Sequence, residues 1–331
     1  MNEHWKVLVS RHLPESAVDK LKQRFEVDWN ADYKNLTRDE LLARAKGKNA
    51  LCLYSDNVDA ALLEALPEVK MISCHWGARQ VDLAAATERG VMVACPPNQY
   101  GWIVDGVAEL VWGLMIAVGR RFREADAFSR AGRMDTSEAS TKFLLGEGLA
   151  GRTLALWGGG RIGLAVGKRA AGFGMQIIYH DLNRSEGLEE LGAERVELDE
   201  LLRRADYLSL SIPPVEENRR VMGREQFAMM KPTAIFINTA RGMSVDEEAL
   251  VEALKTGRIF GAGLDVYERE PEIHPELKTL DNAILMPHTG GSLREQRTWA
   301  ATVMADNIIA ASKGETPPNL INPEVLNRRG A

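Results

Sequence analysis

Cysteine is scarce in this chain of 331 residues: there are three, Cys52, Cys74 and Cys95. An odd count with no C-x-x-C pair argues against a disulfide framework and against a zinc cluster, and points to a reducing interior. Long apolar runs are also missing. No stretch approaches the roughly 20 residues needed to span a bilayer. The opening "MNEHWKVLVSRHLP" has no basic region ahead of a long apolar one, so it does not read as a secretory signal. Positive charge is not in excess, since the formal net charge is -6. Nucleic acid is therefore not the expected partner, because affinity for a phosphate backbone comes from clustered Lys and Arg. A small anion held at a local positive site remains compatible. The expectation is a cytoplasmic protein that handles small molecules without a membrane or a metal.

What is present is an ordinary globular balance, 45% hydrophobic and 27% charged. The length suits two domains at roughly 100 to 200 residues each. Short β-branched runs alternate with helical patterns from the start: "KVLVS" (6–10), "FEVDW" (25–29), "ALCLYS" (50–55), "KMISC" (70–74) and "VMVAC" (91–95). Between them "ESAVDKLKQR" and "VDAALLEAL" repeat apolar residues at i, i+3 and i+4. This rhythm predicts a parallel α/β fold. It breaks at "PPNQYGWI" (96–103), before one long helical pattern from about 104 to 130, with Val107, Leu110, Val111, Leu114 and Val118 along one face. That helix reads as a crossover between domains. The polar, Gly-containing stretch 133–151 reads as a surface loop. The alternation then resumes with "TLALW" (153–157), "MQIIYH" (175–180), "YLSLSI" (207–212), "AIFIN" (234–238), "GAGLDV" (261–266) and "AILMP" (283–287). A last amphipathic segment, about 293 to 312, is expected to pack back on the first domain.

After "TLALW" comes Gly158-Gly159-Gly160-Arg161-Ile162-Gly163, a G-x-G-x-x-G loop with a strand before it and a helical pattern after it. In that context Gly158 permits the tight turn, Gly160 lets a pyrophosphate approach the backbone, and Gly163 lets helix and strand pack closely. The phosphates would sit on the helix N-terminus, where free N–H groups and the macrodipole favour negative charge. Asp181 follows the next strand, eighteen residues after Gly163, near the ~20 expected of the carboxylate that reads the ribose. Such a carboxylate repels a 2'-phosphate, so NAD is favoured over NADP, although Arg184 could soften that repulsion.

Arg241, Glu270 and His288 each follow an apolar strand, and ligands of doubly wound sheets bind outside the carboxyl ends of strands. Hydride transfer to a 2-oxo acid needs such a set. A guanidinium fork holds a carboxylate and polarises a carbonyl. An imidazole, with an ordinary pKa near ~6.5, can protonate a developing alkoxide. A carboxylate behind it fixes its tautomer. The plainer readings are that Arg241 pairs with Asp246, that Glu270 faces solvent in "YEREPE", and that His288 is a packed turn residue after Pro287.

The ordered combination "LAGRTLALWGGGRIG", "INTARGMSVDEEALVEALKTGRIFGAGLDVYEREP", "MPHTGG" and "VAEL" resembles the NAD(P)-dependent D-2-hydroxyacid dehydrogenases, among them glyoxylate/hydroxypyruvate reductases. The resemblance implies two Rossmann-like domains, with the nucleotide-binding domain (101–288) inserted into a flavodoxin-like substrate domain (1–100 and 289–331). It implies a homodimer, and Arg241, Glu270 and His288 as the catalytic residues. Arg161, Ile162, Asp181, Pro213, Thr239, Asp265 and Gly290, with the three glycines, then line the cofactor site. Trp76 and Gly77 fall on the loop that helps hold the substrate carboxylate. There this chain departs from the family pattern, with Trp76 in place of a small residue and Arg79 in place of an acid. Trp76, Tyr100 and Trp102 would form an aromatic pocket or fill a hinge. Glutamate at 270 and tryptophan at 76 separate the chain from formate and phosphite dehydrogenases. A corepressor-type scaffold that senses NADH on the same fold is the alternative implied.

Overall fold

The computed structural model describes residues 4–75, 78–97, 101–134, 137 and 144–328, apart from the side chain of Trp102. The chain divides into two compact units. Met1–Tyr100 and Leu293–Ala331 make the first, and Gly101–Ser292 the second.

Unit 1 opens with β1 (Lys6–Val9), α1 (Glu15–Lys22), β2 (Glu26–Trp29), α2 (Arg38–Ala45), β3 (Ala50–Leu53), α3 (Ala60–Glu64), β4 (Met71–Cys74), α4 (Leu83–Glu88) and β5 (Met92–Ala94). The strands pair in parallel, in the order β2-β1-β3-β4-β5. β3 and β4 are buried at every position, as expected where helices cover both faces of a sheet. Side chains alternate between the faces: Val7 and Val9 join a core with Val18 and Leu21 of α1, whereas Leu8 joins one with Leu41 of α2 and Leu62 of α3. Thr37 starts α2 through a capping box with Glu40, which satisfies two N–H groups that the first turn leaves open.

Unit 2 begins with α5 (Gly101–Gly119) and α6 (Phe122–Arg130). The single helix expected from about 104 to 130 is thus two. The break has a packing cause. Gly119 lies against β9 (Tyr207–Leu210), where a Cβ would meet the Tyr207 hydroxyl at 2.9 Å, and its carbonyl accepts a hydrogen bond from the Glu147 N–H at 2.8 Å. Arg121 then turns the chain with a left-handed φ of 53°. Nor is α5 a crossover between domains, since it packs inside unit 2 on β10 (Ile235–Asn238) and β11 (Gly261–Leu264). Its Val107, Val111, Leu114 and Val118 are buried as expected, together with Ala108, Trp112 and Met115. In the stretch 133–151, residues 135, 136 and 138–143 lie outside those described, and 144–149 carry no helix or strand.

The rest of unit 2 runs β6 (Thr153–Trp157), α7 (Arg161–Ala170), β7 (Gln176–His180), α8 (Glu186–Glu189), β8 (Glu194–Arg195), α9 (Leu198–Arg204), β9, α10 (Arg224–Met229), β10, α11 (Glu247–Lys255), β11 and β12 (Ala283–Leu285). Its parallel sheet has the order β12-β11-β10-β9-β6-β7-β8. Counted from β6, this is the doubly wound order 3-2-1-4-5-6 with one more strand, and it reverses between β6 and β9, where such sheets bind dinucleotides. Leu154, Leu156, Ile235 and Ile237 face α5 and α7, while Ala155, Trp157 and Phe236 face α9 to α11. After β12 the chain returns to unit 1 as α12 (Arg294–Ser312), which packs on α1 and β4, as the amphipathic pattern predicted.

Candidate active site

The glycine loop joins β6 to α7 at the reversal of unit 2. Gly158 has a φ of 113°, and a Cβ on it would lie 2.6 Å from the Ser211 carbonyl. A Cβ on Gly163 would lie 2.1 Å from the Gly158 carbonyl. Gly160, the N-cap of α7, has no protein atom within 4 Å of that position. The first two glycines are therefore demanded by the protein's own packing, and the third opens onto space at a helix N-terminus. Arg161 is exposed and Ile162 half-buried in the first turn of α7.

Asp181 sits just beyond β7, where one carboxylate oxygen accepts from the Gly159 N–H at 2.7 Å and the other from the Asn183 N–H at 2.9 Å. Each oxygen has a second lone pair for a ribose hydroxyl. Arg184 does not neutralise this carboxylate. Its guanidinium is taken by Glu189, at 2.5 and 3.1 Å, and holds that carboxyl down to about 2. Pro213 is exposed three residues after β9. The Thr239 and Ser211 hydroxyl oxygens are buried without a hydrogen-bond partner among the described residues. Buried polar groups are rarely left unpaired. These two hydroxyls and the opening at Gly160 fit a dinucleotide, with the helix N-terminus for its phosphates and Asp181 for a ribose.

At the neighbouring strand ends, register pairs Asn238 of β10 with Leu264 of β11, and Leu264 with Leu285 of β12. Arg241, Glu270 and His288 therefore all leave the same edge of the sheet. The His288 Nδ1–H donates to one oxygen of Glu270 at 2.8 Å, and the other oxygen accepts from the Tyr267 N–H at 3.0 Å. A carboxylate only accepts, so the proton on Nδ1 is fixed and Nε2 is the nitrogen left for other partners. Glu270 is exposed, as its plainer reading had it, but is also bonded to His288, and His288 is not packed away, its side chain being 49% exposed.

Arg241 does not pair with Asp246. That carboxylate caps α11 through the Ala249 N–H at 3.3 Å and lies 3.9 Å from Arg220. Arg241 is exposed, its Nη1 donates to the Ala240 carbonyl at 2.7 Å, and among the described residues it forms no ion pair. Buried Asn238 shapes the turn that presents it, accepting from the Ala240 N–H at 3.0 Å and donating to the Arg241 carbonyl at 3.1 Å. Gly242 follows because a Cβ there would lie 1.9 Å from the Tyr267 carbonyl. The backbone carrying Arg241 thus lies flush on the backbone that leads to Glu270.

Several supports were not legible in the sequence. Asp265, read there as part of the cofactor lining, accepts from the Thr289 N–H at 2.7 Å and the Gly290 N–H at 2.8 Å, and so clamps the loop after His288. His288 itself has a φ of 55°, a left-handed conformation uncommon outside glycine that costs energy unless its surroundings enforce it. The Tyr267 hydroxyl donates to the Met286 carbonyl at 2.9 Å, and burial pushes its phenol up to about 12, so it remains a donor. Buried Glu247 accepts from the Glu268 N–H at 2.8 Å. For Asp265, Tyr267 and His288 the signal in the sequence is their place just past strand ends, whereas Glu247 opens α11. Trp76, Gly77 and Tyr100 and the Trp102 side chain lie outside the described residues, and Arg79 is exposed.

Residues 112–290 match the family model for the D-isomer specific 2-hydroxyacid dehydrogenase, NAD binding domain. A glyoxylate reductase of Thermococcus litoralis is 44% identical over 326 residues, 97% of this chain and 98% of that protein. Among solved structures, a D-isomer specific 2-hydroxyacid dehydrogenase from Polaromonas has a TM-score of 0.85 at 34% identity, covering 96% of this chain and 99% of that one. A protein from Thermus thermophilus has a TM-score of 0.81 at 40% identity with the same coverage.

Proposed function

The chain belongs to the D-isomer-specific 2-hydroxyacid dehydrogenases and transfers hydride between NAD(H) and a 2-oxo acid/2-hydroxy acid pair; from that premise we propose that it reduces glyoxylate and close analogues through Arg241, Glu270 and His288. NADH, when bound, supplies the hydride. The observation that carries the assignment of residues is the Glu270–His288 contact of 2.8 Å beside an arginine with no ion pair among the described residues.

In this mechanism the Arg241 guanidinium takes the substrate carboxylate, each charge-assisted hydrogen bond being worth about 1.5–3 kcal/mol. The same group draws electron density from the adjacent carbonyl. His288 delivers a proton from Nε2 to the carbonyl oxygen as that oxygen becomes an alkoxide. Glu270 holds Nδ1 and keeps the ring oriented with Nε2 toward the substrate. Arg161, Ile162, Pro213, Thr239 and Gly290 complete the proposed cofactor lining around the three glycines and Asp181. NAD is favoured over NADP because the cation nearest in sequence to Asp181, Arg184, is already held by Glu189.

A homodimer in the cytoplasm completes the proposal. Buried free thiols at Cys52, Cys74 and Cys95 suit a reducing compartment, and among the described residues no helix is long and apolar enough to cross a membrane. Exposed Phe122, beside Ile284 and Leu285 of β12, offers an apolar patch for a second subunit.

NADH oxidation with glyoxylate, hydroxypyruvate, pyruvate and phenylpyruvate tests the assignment. The variant His288→Ala is expected to lose about 10²–10⁴-fold in kcat, while its NADH dissociation constant, read by fluorescence, stays within about twofold of the unchanged protein's, a difference under ~0.5 kcal/mol. Undiminished turnover would remove His288 as proton donor.

A further inference from the structure

The two arms that carry Arg241 and Glu270 meet at one peptide bond of unit 2, between Tyr267 and Glu268. Gly242 lies flat against it: a Cβ there would stand 1.9 Å from both the carbon and the oxygen of the Tyr267 carbonyl and 2.5 Å from the Glu268 nitrogen. The N–H of that same peptide donates to Glu247 at 2.8 Å. Glu247 is the first residue of α11, which follows the short 3-10 turn Gly242–Ser244. The Arg241 arm therefore grips the peptide twice, by contact at Gly242 and by the hydrogen bond to Glu247.

The preceding peptide holds the Glu270 carboxylate. Its N–H, that of Tyr267, donates to one oxygen of Glu270 at 3.0 Å, and the other oxygen takes the His288 Nδ1–H at 2.8 Å. Each peptide is a rigid plane, and the two share the Tyr267 Cα. A shift of the Glu268 N–H is thus carried to the Tyr267 N–H and on to the Glu270–His288 pair. The Glu268 side chain is held as well. One of its oxygens takes Arg220 Nε at 2.7 Å and Nη2 at 2.6 Å, while the Arg220 N–H donates to the Met243 carbonyl at 2.8 Å, again on the Arg241 arm.

A carboxylate is a costly choice for position 247. Glu247 is 6% exposed, among the described residues it forms no ion pair, and burial pushes its carboxyl up. The N-terminus of α11 offsets part of that cost, but it does not call for burial, since exposed Glu248 has the same benefit from the surface. An apolar side chain would fill the space without desolvating a charge. What it would lack is an acceptor for the Glu268 N–H.

We infer that Glu247 is a positioning residue of the hydride-transfer site: through the Glu268 N–H it fixes the Tyr267–Glu270 turn against the Arg241 arm, Arg220 acting beside it on the Glu268 carboxylate. The role rests on the assignment of Arg241, Glu270 and His288 to the reaction. Arg241 holds the substrate from one arm and His288 delivers the proton from beside the other. Loosening the joint between the arms costs proton delivery more than substrate binding.

Steady-state NADH oxidation with glyoxylate by the whole chain tests this, with sites counted by NADH fluorescence titration so that loss of folded protein is not read as loss of rate. Glu247→Leu is expected to lower kcat about tenfold, or ~1.4 kcal/mol, with KM changed less than about threefold. Glu247→Gln, whose amide oxygen accepts the same N–H, is expected to recover kcat to within about threefold of the parent. In a Glu270→Gln background the change Glu247→Leu is expected to cost less than about twofold more, because the group it acts through is already gone. Should Glu247→Leu fail to fold, Arg220→Gln, at an exposed position, replaces it, with a loss of about threefold that also vanishes in the Glu270→Gln background. Parental kcat in Glu247→Leu, or an equal further loss in the Glu270→Gln background, overturns the inference and leaves Glu247 as a structural acceptor for one N–H. If Glu270→Gln alone leaves kcat unchanged, the assignment of the pair fails and the role of Glu247 falls with it; if Glu270→Gln lowers kcat and Glu247→Leu does not, only the role of Glu247 fails.

Discussion

At the scale of single residues, an imidazole's surroundings decide what it can do. His288 is half-exposed and bonded through Nδ1 to a carboxylate. His75 is 3% exposed beside a guanidinium, and its folded-state pKa of about 4 lies below the ordinary 6.5. Between those two values the unfolded chain binds the proton and the folded chain does not. Stability is therefore fully present above pH 6.5 and is lost as pH falls toward 4, by about 3 kcal/mol in all. Urea unfolding at several pH values is expected to show this slope, reduced in His75→Gln. An equal slope in the variant would assign the acid sensitivity elsewhere. The positions of Arg241, Glu270 and His288 past strand ends were legible in the sequence, and the chemistry proposed for them rests on what a guanidinium, a carboxylate and an imidazole can do. The sequence did not disclose that Asp265 clamps the turn after His288, because that role exists only once β11 and β12 are paired.

At the scale of elements, the two kinds of glycine make opposite predictions. Gly242→Ala places a Cβ 1.9 Å from a carbonyl in the chain leading to Glu270, and backbone cannot rotate aside as a flexible side chain can. A loss of about 1–3 kcal/mol or more is expected, with turnover falling because Arg241 and Glu270 share that contact. Gly160→Ala meets no protein atom within 4 Å. It is expected to unfold within about 0.5 kcal/mol of the parent and to weaken NADH binding about tenfold, or ~1.4 kcal/mol. A Gly160→Ala protein with full NADH affinity would show that nothing approaches the loop there. Strands such as β3, β4 and β10 were legible to within a residue or two because both sheet faces are covered there, which makes each an almost continuous apolar run. β8 was missed because Glu194–Arg195 is two exposed residues, too short for periodicity. The break between α5 and α6 was missed because the apolar pattern continues across it, and its cause, the Tyr207 hydroxyl against Gly119, is remote in the sequence.

At the scale of the whole molecule, unit 1 depends on residues from both ends of the sequence. Ile321 N–H donates to the Val93 carbonyl at 2.7 Å. Buried Asn322 accepts from the Val93 N–H at 2.8 Å and donates to the Val91 carbonyl at 3.0 Å. Asn322→Ala leaves those groups of the β5 edge unpaired, and a cost of about 1–3 kcal/mol is expected. Denaturant titration followed by Trp5 and Trp29 fluorescence in unit 1 reads it, and an unshifted midpoint would mean that Ile321 alone holds the edge. The same discontinuity sets an order on biosynthesis. As the chain leaves the ribosome, β1 to β5 appear first but must wait, their α1 face lacking α12, while residues 101–292 emerge and fold as a complete body. The α1 face of unit 1 is therefore completed only once α12 has been made.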